Sequence, residues 1–189
     1  KMVTQRQVQK MALVKTAITR EGTLTLTDAN ANQITIPSLY FNKPNVDTKS
    51  FTRYNVEIWG KQFEALDCGD DAATFLSKAL QKEVRLVEMA PEHSREPDHK
   101  YFKRVFELEK VAERAVNASF ADDFPYLLTS EKSLKQLSAQ VGKQLEMIRF
   151  RPNIVINSNE ESLQPFDEDT FFCMQFADKL KMYNVKPCS

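Results

Sequence analysis

The chain has 189 residues, enough for one large domain or two small ones with an interior of their own. Its 26 Lys+Arg and 26 Asp+Glu cancel, which argues against nucleic acid as a main partner and leaves room for a local anion pocket. The 3 cysteines form no Cys-x-x-Cys pair, so a reducing compartment is expected, and no apolar run approaches the roughly eighteen residues of a membrane-spanning helix.

The first ninety or so residues alternate with period two. "MALVKTAI" and "TLTLT" flank Arg20-Glu21-Gly22, a hairpin signal, and "QITIPS" follows the turn-rich "DANAN". "YNVEIWG" places Val56 and Ile58 on one face. The period then changes. In "DDAATFLSKAL", Ala72, Phe75, Leu76, Ala79 and Leu80 have helical spacing, and Asp70 and Asp71 lie in the first turn, where the helix dipole favours anions. "VRLVEM" returns to strand.

Residues 91–104, polar with two prolines, read as a connecting loop, and 101–116 is ambiguous. "FPYLLTS" reads as a short strand. "SEKSLKQLSAQVG" reads as a helix with Ser130 as N-cap, Gly142 as stop, and a core face of Leu134, Leu137 and Val141. "RPNIVIN" reads as the next strand, with Pro152 at its first residue, where no ladder donor is lost. The fold class expected is α+β: a β-rich part over 1–90, the loop 91–104, and a second β-rich part over 105–189 with peripheral helices.

Arg151 and Asn153 are the sharpest site candidates. If the strand has begun at Arg151, the two share a face. A guanidinium fork suits phosphate or carboxylate, and an amide both donates and accepts. A surface arginine beside a turn asparagine is the plainer alternative. Asp122, Asp123 and Pro125 read as a tight turn. His93 and His99 read as solvated loop histidines, with no carboxylate cluster to complete a metal site. Glu168 and Asp169 read as an acidic turn before an aromatic strand, or else as an acid pair. Cys188 follows Pro187 at the end of the strand-like "DKLKMYNVKP", and Arg6 in "TQRQ" is an exposed arginine or a donor to a pocket.

Six segments together resemble the MOSC family of molybdenum-cofactor proteins, with the N-terminal β-barrel domain that often precedes it. "MVTQRQVQKMALV" looks like the family's T-x-R-Q strand, and "ALDCGDDAATFLSKAL" like its D-x-G-[DE]-x-A helix start. "RLVEM" follows in order. "FADDFPYLLTSEKSLKQL" resembles the F-x-D-x-x-P segment with its S-E-x-S-L helix. "RFRPNIVI" is similar to the family's most distinctive segment, and "PFDEDTF" to the E-D-x-[WF] that comes next. Within the family the likeness is to the animal-type mitochondrial amidoxime-reducing components and bacterial single-chain relatives.

The resemblance implies a β-barrel-like first domain and a β-rich MOSC domain. It implies a bound molybdenum cofactor (Mo-molybdopterin), with Arg151 and Asn153 at its phosphate and pterin edge, and with Arg6, Cys188 and Ser189 nearby. The implied activity is reduction of N-hydroxylated substrates with electrons from cytochrome b5 and its NADH-dependent reductase. The implied location is the mitochondrial outer membrane facing the cytosol, or the cytoplasm without an N-terminal anchor. The family's phosphate-binding Lys-Ser pair and its metal-ligating cysteine, expected just past Ser189, are not in the chain. It therefore reads as a piece of a longer protein, and inactive alone. A cofactor or sulfur carrier and a cofactor-free interaction module are the other readings. Pyridoxal phosphate, named for the family because some members carry a desulfurase domain, has no lysine-centred signature here.

Overall fold

The computed structural model describes residues 2–39, 46–58, 60–93, 95, 119–121, 124–159, 162–177 and 180–187. The chain divides into two units, Lys1–His93 and Ser94–Ser189.

In the first unit, alternation sets a three-stranded antiparallel sheet of β1 (Lys15–Ile18), β2 (Thr23–Thr27) and β3 (Gln33–Pro37). Leu24 pairs with Ile36 and Leu26 with Ile34, so the apolar sets of β2 and β3 fall on one face. The β1–β2 hairpin turns at Gly22, whose φ of 80° only glycine adopts without strain. Asp28 shapes the β2–β3 turn by accepting from the Asn30 and Asn32 backbone N–H groups at 2.8 and 2.9 Å. The segment before β1 departs from the expected strand: Gln9–Leu13 is a 3-10 helix.

A second antiparallel sheet joins β4 (Arg53–Ile58), β5 (Lys61–Asp67) and β6 (Val87–Met89). Val56 is half-buried and Ile58 buried, as their shared face requires. Ala65, Leu66 and Ala90 are wholly buried. Helix α1 (Asp70–Leu80) follows β5 and lays Ala72 against Leu26 and Ile36, with Phe75, Leu76 and Cys68 packed around them. Glu88 on β6 accepts from the Ser38 hydroxyl and, at 2.8 Å, from the Leu39 N–H, so the end of β3 is held to the second sheet. Both sheets are open, and the described residues form no closed barrel; the class is α+β, and the closed element implied by resemblance is not among them.

In the second unit, β7 (Leu128–Ser130) and β8 (Ile154–Ile156) pair in parallel, Leu128 with Ile154 and Ser130 with Ile156. Parallel strands need a crossover, and α2 (Glu131–Val141) supplies it. The Ser130 side chain caps α2 by accepting from the Lys132 N–H at 3.2 Å, and Gly142 ends it at φ 67°. Leu134 and Leu137 are half-buried, but Val141, the last residue of the helix, is 58% exposed and so does not belong to the expected core face. β9 (Cys173–Phe176) and β10 (Leu180–Tyr183) form an antiparallel hairpin. A 3-10 turn at Asp167–Asp169 precedes it, which is the acidic turn before an aromatic strand. Buried Glu168 there accepts from the Ser133 hydroxyl of α2 at 2.7 Å.

Candidate functional site

The segment "RFRPNIVI" is built differently from the strand expected of it. Met147–Arg149 is a 3-10 helix, and β8 begins only at Ile154. Arg151 closes the 3-10 turn, its N–H donating to the Ile148 carbonyl at 3.1 Å. Its φ is 50°, in the left-handed region, so the shared strand face for Arg151 and Asn153 does not exist. The reason lies in the neighbours. Pro152 has no N–H for a ladder, so the paired strand begins only after it. Left-handed backbone is uncommon in a non-glycine residue, and one preceding proline ordinarily adopts extended conformations.

Asn153 is held at both levels. Its N–H donates to the Leu127 carbonyl at 2.9 Å, and the Ile154 N–H reaches the same oxygen at 3.1 Å. Its side-chain Oδ1 in turn accepts from the Leu127 N–H at 2.9 Å. The guanidinium groups of Arg149 and Arg151 are exposed and make no hydrogen bond or ion pair among the described residues. An exposed fork of donors without a protein acceptor is chemically suited to a phosphate or carboxylate from outside the chain.

Arg6 lies in an exposed turn of the first unit, where Gln7 N–H and Val8 N–H both donate to the Thr4 carbonyl. Cys188 and Ser189 lie outside the described residues, as do His99, Asp122 and Asp123. One cleft of about 640 Å3 lies beside α2, lined by Lys132, Lys135, Gln136, Leu163 and Pro165 among others, and neither Arg151 nor Asn153 lines it. Lys132 crosses it to the Leu163 carbonyl at 2.8 Å.

Two charged clusters were not legible in sequence. Arg85 holds Asp67 through Nε at 2.9 Å and through a second nitrogen, and Asp70 at 2.7 Å, which keeps its guanidinium more firmly protonated than usual. Arg53 bridges Glu64 at 3.0 Å and Glu92, and His93 Nε2 lies 3.4 Å from Glu64. A carboxylate cluster thus does meet His93, contrary to its reading as a solvated loop histidine. Glu64, Glu92 and His93 have metal-ligand spacing, but the Arg53 guanidinium already bridges the two carboxylates. Next to buried Glu168, Asp169 has its carboxyl pushed up, first by burial and then by the Glu168 charge.

Residues 1–83 match the MOSC N-terminal beta barrel domain and 116–189 the MOSC domain. The chain belongs to the MOSC family. It is 30% identical to mitochondrial amidoxime-reducing component 1 of Mus musculus over 157 residues, covering 82% of this chain and 42% of that protein. It is 28% identical to the Homo sapiens component 1 over 190 residues, covering 100% and 50%. A molybdenum cofactor sulfurase of Drosophila mojavensis is 25% identical over 137 residues, 72% of this chain and 15% of that protein. The chain spans about half the length of the amidoxime-reducing components it matches. No helix among the described residues is long and apolar enough to cross a membrane.

Proposed function

We propose that this chain is the cofactor-anchoring part of a molybdenum-cofactor-dependent reductase acting on N-hydroxylated compounds. The observation that carries the reading is the exposed guanidinium of Arg151, without a partner among the described residues, on a backbone fixed by the 3-10 turn before it and by Asn153 after it. The amidoxime-reducing components among its relatives support the reaction class.

The donor set fits the group. A phosphate monoester is an acceptor with two charges, and Arg151 offers a planar fork of donors to it, with Arg149 two residues away as a second cation. The Nδ2 donors of Asn153, available once Oδ1 is engaged, suit the heterocycle edge of the cofactor rather than its phosphate. A thiolate suits molybdenum as a soft ligand. When bound, the cofactor supplies the two-electron metal chemistry, and the chain's residues bind and orient it. The reaction consumes two electrons and two protons, and the N–O oxygen leaves as water. Cytochrome b5 with its NADH-dependent reductase is the proposed electron source, at the cytosolic face of the mitochondrial outer membrane.

The sulfurase match supports a second reading, a carrier that delivers cofactor or sulfur without reducing a substrate. One experiment separates them. Full-length protein containing this chain is assayed for molybdenum and for amidoxime reduction with a cytochrome b5 donor. The reductase reading expects both, and Arg151→Ala then lowers molybdenum content, since a charge-assisted phosphate contact contributes roughly 1.5–3 kcal/mol. Bound molybdenum without reduction supports the carrier. No molybdenum, or content unchanged by Arg151→Ala, overturns the site.

A further inference from the structure

We infer that Asn153 is a positioning residue: its side-chain oxygen locks the entry of β8 to the entry of β7 and so holds Arg151 in its left-handed conformation. The part of this that concerns anion binding rests on the phosphate site proposed above.

Leu127 stands one residue before β7, so its N–H lies outside the ladder that begins at Leu128 and Ile154. Asn153 Oδ1 takes that N–H at 2.9 Å, while the Leu127 carbonyl takes the Asn153 and Ile154 N–H groups. The amide orientation is fixed by chemistry, because only the oxygen can accept from an N–H. Three hydrogen bonds therefore close on one residue, Leu127, from two consecutive residues of the other strand. Immediately upstream, Pro152 has φ set by its ring and no N–H to contribute. Arg151 then sits at φ 50°, a conformation that persists only where the surroundings hold it. The 3-10 turn holds it from one side through the Arg151 N–H and the Ile148 carbonyl. Asn153 is what holds it from the other. The amide engaged with Leu127 thus acts on the anion through Arg151, and its oxygen does not face the ligand.

The test uses the 189-residue chain, isotope-labelled, below its unfolding temperature. Amide exchange at Leu127 and the φ-sensitive amide coupling at Arg151 are measured by nuclear magnetic resonance. Inorganic phosphate is titrated against the Arg151 amide signal. In Asn153→Ala, Leu127 exchange is expected to rise roughly tenfold, the equivalent of one net hydrogen bond. The Arg151 coupling shifts away from its left-handed value. Phosphate affinity falls by a similar factor, and this loss disappears in an Arg151→Ala background, as coupling through one residue requires. Asn153→Asp, which keeps the acceptor, retains Leu127 protection, and its deficit in phosphate binding relative to the unsubstituted chain narrows as salt screens the added charge. Unchanged Leu127 exchange in Asn153→Ala overturns the inference, as do additive losses in the double variant, which would mean that Asn153 touches the anion itself. If Asn153→Ala does not fold, loss of Leu127 protection in Asn153→Asp overturns it and retention supports it. Absence of phosphate binding in the unsubstituted chain would overturn the anion site proposed above; Leu127 exchange and the Arg151 coupling then decide the positioning role.

Discussion

Ser133→Ala should be among the most damaging single-atom deletions in the second unit. The Ser133 hydroxyl donates to the buried Glu168 carboxylate at 2.7 Å and accepts from the Phe166 N–H at 2.8 Å. Glu168 is only 8% exposed, so water does not readily replace the lost donor. A hydroxyl bond to a carboxylate contributes ~1.5–3 kcal/mol and a neutral backbone bond ~1 kcal/mol, so the expected loss is about 3 kcal/mol. That is a large share of the roughly 5–15 kcal/mol by which domains are stable. Native-state amide exchange across α2 and the Asp167–Asp169 turn, alongside urea unfolding, reads it locally. The matched control is Ser133→Ala with Glu168→Met, which removes both ends of the hydroxyl–carboxylate bond and should recover that share of the loss, leaving the ~1 kcal/mol from the Phe166 N–H. A single variant within ~0.5 kcal/mol of the parent, or a double variant worse than the single, would refute the reasoning.

Ser130→Ala removes the cap of α2 and should cost about 1 kcal/mol, seen as faster exchange in its first turn. Gly142→Ala, at φ 67° with open space around the added methyl, should cost about 1 kcal/mol from backbone strain alone. The Cys68 thiol is pushed up to about 12 from 9.0, chiefly by burial and then by Glu88 and Asp67. It should react with iodoacetamide at pH 9.0 far more slowly than a free thiol. The unfolded chain releases this proton before the folded one does, so the contribution to stability is complete below pH 9.0 and is lost as pH rises toward about 12. Alkaline denaturation that Cys68→Ala leaves unchanged would count against that assignment.

Local signals were legible and non-local ones were not. Ser130 and Gly142 mark α2 because a cap is a property of neighbouring residues. The end of α1 carried no such mark: Gln81 adopts φ 53° without being glycine or asparagine. β6, β7 and β8 each read as strands, but with wider bounds than the three residues that form them, because so short a run shows no period; β5 follows β4 too closely and was not read separately. The shared face of Arg151 and Asn153 was conditional on a strand already begun at Arg151, and the left-handed turn there, unusual before proline, had no mark in the sequence. The pairing of His93 with Glu64 spans 29 residues and that of Ser133 with Glu168 spans 35, and only the folded chain brings them together.

The left-handed Arg151 sets the interests of stability and of binding against each other. Glycine there would relax a backbone that costs on the order of 1–3 kcal/mol in a side-chain-bearing residue. It would also delete the guanidinium. A library of variants selected only for heat resistance should therefore drift toward glycine at this position, and one selected for anion capture should return to arginine.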